Sequence, residues 1–137
     1  MANVVLPKVR MFIPCLGIEP AQGPVHTIRS TLHTIRMPTG LAENYLIDEI
    51  WFLALLTDGV GTFRLSVDLY GEMGFVVTKS KVQTMTFHGG AQLTVREVRF
   101  RIGSVPFAFP GLFEFRLVAN HAHVEEGGTA ILRVLAG

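Results

Sequence analysis

A chain of 137 residues fits one domain, and surface scaling buries about two-thirds of its unfolded area, so a real core needs no disulfide or metal to hold it. Its 49% hydrophobic and 17% charged residues lie at the apolar end for a soluble chain and point to surface shared with a second subunit or another protein. Twelve basic and 11 acidic residues leave a net charge of +1, which builds no field for nucleic acid or an anionic membrane, and the single cysteine excludes an internal disulfide.

The N-terminal "MANVVLPKVRMFIPCLG" lacks the order of a secretory signal, because Lys8 and Arg10 interrupt the apolar run and Pro7 and Pro14 break it. No segment approaches the ~20 apolar residues of a membrane helix. A lone thiol fits a reducing compartment, so the expectation is a cytoplasmic domain, with Cys15 buried and inert in its apolar "IPCLG" setting.

"PVHTIRSTLHTIRMP" is rich in β-branched residues but keeps no single register, which predicts a bulge or bend. Residues 39–48, "TGLAENYLID", are the best candidate for a short helix or an irregular crossover. "EIWFLALLTD" is apolar on both sides and must be covered on both. One cover is a facing sheet; the other is either the 39–48 segment or a second subunit.

Beyond it the period is two. "GTFRLSVDLYGE" sets Phe63, Leu65, Val67 and Leu69 against Arg64, Ser66, Asp68 and Tyr70. "REVRFRI" and "LFEFRLVA" repeat the pattern with Val98, Phe100 and Ile102, then Phe113, Phe115 and Leu117. Turn signals fall between the runs. The Asp-Gly of "TDGVG" at 57–61 reads as a hairpin, and "GEMG", "HGGA", "FPG" and "EEGG" follow at similar spacing. The reading is all-β: a single antiparallel β-sandwich over residues 1–137 with seven to nine strands, a small barrel or jelly roll being the alternative.

One segment could carry chemistry. In "NHAHVEE", His121, His123 and Glu125 would share a face of a continuous strand, a His-His-carboxylate set able to hold zinc, iron or manganese. The similar cupin motif needs Glu three or four residues after HxH, where this chain has Gly127 and Gly128. The competing reading is a hairpin turn at "NHA", with His121 at its tip and His123 opening the returning strand. His26, His33 and His88 lie in other segments and suggest no site. Adjacent acids such as Asp48 and Glu49 point apart on a strand, and no phosphate loop or nucleophile elbow occurs. Arg96, Arg99 and Arg101 could serve nucleic acid only if Phe100 were outward, and alternation turns it inward.

The run from Val105 to Leu135 resembles the closing hairpin of immunoglobulin-like sandwiches: Phe109-Pro110-Gly111 at a corner, Phe113, Phe115 and Leu117 on a strand, Asn120 as turn, then Ile131 and Val134. Many such domains carry tyrosine at the corner, where Phe113 stands here. The whole chain is similar to small bacterial β-sandwich proteins of uncharacterised function, with a Pro/Gly loop between the first strands and the "LTDG" hairpin at Leu56. That resemblance implies the fold and no catalytic residue.

The expected function is therefore an interaction or structural module, not an enzyme, acting through self-association or protein binding without a cofactor, nucleic acid or membrane. The alternative is a metal-binding protein or metal-dependent enzyme using His121, His123 and Glu125. A ligand-binding sandwich would have to use Trp51, Tyr45 and Tyr70, the only aromatics besides phenylalanine.

Overall fold

The computed structural model describes residues 4–20, 26–37, 45–88 and 95–136. Among them there is no helix. The eleven strands, in chain order, are β1 Lys8–Pro20, β2 His26–Thr31, β3 Thr34–Arg36, β4 Tyr45–Thr57, β5 Gly61–Tyr70, β6 Val76–Lys79, β7 Gln83–Phe87, β8 Arg96–Phe107, β9 Gly111–Ala119, β10 Ala122–His123 and β11 Thr129–Leu135.

They form two sheets. One has the order β2-β1-β4-β8; the other runs β3-β11-β9-β5-β6, with β7 also on β5 and β10 also on β9. All pairings are antiparallel except β3 with β11. The core lies between the sheets. Ile50, Phe52, Ala54 and Leu56 from β4 meet Phe63, Leu65, Val67 and Leu69 from β5, with Val98, Phe100 and Ile102 from β8 and Phe115 and Leu117 from β9. The Phe52 and Phe115 rings join the layers edge to face at 4.8 Å, and Phe12 stacks on Phe52 at 5.7 Å. Each of these residues sits on the face that its period of two assigns to the interior.

The segment count exceeds the seven to nine expected because three runs are interrupted. β6 and β7 lie along the same side of β5, separated where Ser80 turns inward. Its hydroxyl accepts the Val67 N–H at 2.8 Å while its own N–H reaches the Val67 carbonyl at 2.8 Å, so the ladder is mended locally. β10 and β11 lie along the same side of β9, separated at 124–128. β2 and β3 are the predicted bend: Leu32 donates to the Pro14 carbonyl in one sheet, and the His33 carbonyl accepts from Arg133 in the other. The chain changes sheets within two residues.

One local expectation is corrected. The Asp-Gly turn after β4 is not a hairpin, since β4 pairs with β1 and β8 while β5 pairs with β9, β6 and β7. It is a corner between layers. Both edges of β4 are already taken by β1 and β8, so β5 cannot pair beside it and the chain crosses to the other layer. Asp58 adopts a left-handed φ of 61° there, and Arg10 of β1 braces the corner by donating to Thr57 Oγ1 at 2.7 Å and Asp58 Oδ2 at 2.9 Å. Hydrogen bonds from the Thr57 hydroxyl and from Arg10 hold the Asp58 carboxyl below the usual carboxylate range.

The 39–48 segment lies outside the described residues up to 44, and its remainder opens β4 as strand. β4 is two-faced, as its composition requires. Leu53 and Cys15 are buried although neither belongs to the inter-sheet core, which places them on the outer face with half-buried Trp51 and Leu55. β8 supplies that face with a charged margin of Glu97, Arg99 and Arg101, the last paired with Glu49.

Candidate functional site

Asn120 and His121 form a two-residue turn between β9 and β10, with φ of 49° and 68° and Ala119 paired to Ala122 across it. Positive φ at both positions is the signature of a type I′ hairpin turn. The Asn120 side chain closes the end by accepting the Arg64 N–H at 2.9 Å, while the Asn120 N–H reaches the Arg64 carbonyl. His121 is exposed at the tip. His123 is half-buried, its Nε2 lying 2.9 Å from Thr129 Oγ1 and 3.2 Å from the Gly128 carbonyl. Glu125 is exposed on the excursion between β10 and β11.

That excursion exists because the ladder closes beneath it: Val124 N–H donates to the Leu117 carbonyl, and Leu117 N–H to the Gly128 carbonyl. Gly128 must lack a side chain, since a Cβ there would strike the Val124 carbonyl. His121, His123 and Glu125 are therefore not three positions of one continuous strand. Among the described residues, no group of three His, Cys, Asp or Glu side chains could hold a metal ion.

The remaining aromatics do not form a platform. Trp51 lies on the outer face of one sheet and Tyr70 on the outer face of the other, where the Arg116 guanidinium sits 3.9 Å above its ring. The Tyr45 side chain lies outside the described residues, as does that of His26. Arg96, weighed above for nucleic acid, reaches across to β7 instead. It donates to the Thr86 carbonyl at 2.8 Å and covers the Phe87 ring at 5.3 Å, closing the β7–β8 side of the molecule.

The surface least explained by folding lies at one end, where the β5–β6 turn and the β8–β9 loop flank the opening between the sheets. A groove of about 460 Å³ is lined there by Met73, Phe75, Val77, Pro106, Phe109 and Phe113, with Glu72 at its margin. Its inner wall runs into the core: Phe113, which lines it, meets the fully buried Phe107 ring edge to face at 5.0 Å. Its rims project. Met73 is 82% exposed, Phe75 73% and Phe109 74%.

The rims are held in place. Gly74 N–H donates to the Gly71 carbonyl at 3.0 Å and Gly71 N–H to the Phe75 carbonyl at 3.1 Å, so Met73 stands at the tip of a tight turn, with Gly74 at a φ of 79°. Across the groove, Glu72 Oε1 accepts the Leu112 N–H at 3.0 Å. Gly111 makes this contact feasible, because a Cβ at its φ of 153° would lie 2.9 Å from the Glu72 carboxyl. The turn and the loop are thus tied together, with Pro106 near the end of β8 and Pro110 in the loop restricting the backbone.

The "GEMG" and "FPG" signals mark these two turns but do not show that both fall at one end of the sandwich. Only the pairing of β5 with β9 brings Tyr70 beside Glu114 and the two loops together. Among the described residues no helix is long and apolar enough to cross a membrane. Compared with known proteins, the chain matches no family model and no curated sequence.

Proposed function

We propose that the protein is a non-enzymatic interaction module, acting by self-association or by binding another protein, and that the apolar loop end is its contact surface. The observation that carries this is the exposure of Met73, Phe75 and Phe109 on rigid, mutually tied turns. Taking ~200 Å² for a large apolar side chain, these three with Val77, all on the groove, expose about 500 Å². The largest apolar patch on a typical monomer is about 300–600 Å². Turns that hold apolar side chains out in water gain nothing from folding; they are pre-organised for a partner that covers them.

The fold supports an immunoglobulin-like reading in part. The order β1-β4-β8 against β6-β5-β9-β11 follows the first-second-fifth and third-sixth-seventh strand arrangement of such sandwiches. The β2–β3 ribbon, which borders both sheets, is an addition to it. The lone buried Cys15 agrees with a reducing, cytoplasmic setting.

Photo-crosslinking in cells tests the function. A photoreactive residue at position 75 or 109 gives a discrete adduct of defined mass, with this chain or with one other protein. The same residue at position 82, an exposed valine outside the patch, gives none. No adduct at 75 or 109 would retire the reading.

A further inference from the structure

Within that reading, on which this inference rests, we infer that the partner is a second copy of the chain, docked loop end to loop end about a two-fold axis. A two-fold interface uses one patch twice, so the patch must carry both the projecting and the receiving element. This one does. Phe75 and Phe109 project at its rims, and the groove of about 460 Å³ lies between them. In the pair, the rim rings of each copy enter the groove of the other and reach the wall formed by Phe113, behind which the buried Phe107 packs.

Area and charge agree with this occupant. About 500 Å² of exposed apolar surface per copy, or about 1,000 Å² for the pair, reaches the ~1,000 Å² expected of a small specific interface. Homodimer interfaces are the more apolar kind. Among the described residues lining the groove, Glu72 is the one ionisable group, and its carboxylate is engaged with Leu112 N–H of its own chain. Each copy therefore brings a single carboxylate, already hydrogen-bonded and at the groove's margin, to an otherwise uncharged patch. One marginal carboxylate gives the patch little charge by which to select a strongly acidic or basic partner.

Sedimentation equilibrium combined with hydroxyl-radical footprinting tests the proposal, using the wild type, Phe75→Ser, Phe109→Ser and, as a control off the patch, Val82→Ser. Both phenylalanines are more than 70% exposed, so their variants keep the fold, which urea midpoints close to wild type verify. The expected result is a wild-type and Val82→Ser mass twice the 15.1 kDa of the chain, with Met73, Phe75 and Phe109 protected. Phe75→Ser and Phe109→Ser then sediment at the single-chain mass with Met73 freely oxidised. A wild-type monomer with these three residues freely labelled overturns the dimer and leaves the contact surface open to another protein. A monomer with them protected overturns both readings, because the chain then covers its own patch. A dimer unmoved by either substitution places the contact elsewhere and overturns the inference.

Discussion

Replacing His121 with glycine separates a turn from a metal ligand at the segment where the sequence left both open. His121 sits at a φ of 68°, directly after Asn120 at 49°. A residue with a Cβ pays about 1–2 kcal/mol in the left-handed region. Glycine relieves that strain but loses about 0.5–1 kcal/mol more chain entropy on folding. The imidazole is exposed, so little packing is forfeited. The net expectation is a stabilisation of about 0.5–1 kcal/mol, or roughly 2–4 °C in Tm for a domain of this size. Asn-Gly is also the preferred pair for this turn. Thermal and urea unfolding of both proteins, with and without a chelator, read the effect. A variant less stable than wild type by 1 kcal/mol or more would refute the turn argument. So would a chelator that lowers the midpoint of the wild type alone, since His121 would then be contributing through a bound ion.

Two further substitutions test the core and the corner. Phe52→Ala removes a fully buried ring that touches both Phe12 and Phe115, and should cost about 3–5 kcal/mol in urea unfolding, whereas Phe109→Ala, at 74% exposure, should move the monomer by less than about 0.5 kcal/mol. Equal effects would mean that the sheets do not pack as described. Asp58→Asn keeps a residue tolerant of left-handed φ but removes the carboxylate held by Thr57 and Arg10. Because the folded carboxyl titrates below its ordinary range, its contribution is present at neutral pH and is lost as pH falls through that lowered value. Wild type should therefore exceed Asp58→Asn in urea midpoint at neutral pH, and the two should converge in acid; a gap that widens in acid would reverse the assignment.

The strands were legible because each must solve a local problem. Phe63 to Leu69, Val98 to Ile102 and Phe115 to Leu117 alternate with polar residues, and a period of two fixes which side is buried whatever the partner strand. Turn chemistry was legible too, at Asn120, Gly74 and Asp58. What the turns join was not. Asp-Gly after β4 carries the same local signal for a hairpin and for a corner, and only the long-range partners of β4 and β5 decide between them. The interruptions at Ser80 and at 124–128 were also hidden, since Ser80 stands in for a ladder bond only once Val67 lies opposite. For the same reason the loop end was invisible. Met73 and Phe75 are 34 or more residues from Phe109 in the chain, and only strand pairing brings them to one groove.

The contact proposed above has two apolar surfaces to choose between, and their burial separates them. The outer face of β1 and β4 was the one that composition indicated, through Trp51, Leu53 and Leu55. Leu53 is 6% exposed and its neighbour Cys15 fully buried, so much of that face is already withdrawn from water in the single chain. A partner arriving there would gain little new burial. At the loop end the order is reversed. The residues with most to gain are the most exposed, and their turns are already fixed by hydrogen bonds and prolines. Since binding draws on newly buried apolar area and is weakened by the cost of ordering it, the partner proposed above would gain more at the loop end on both counts.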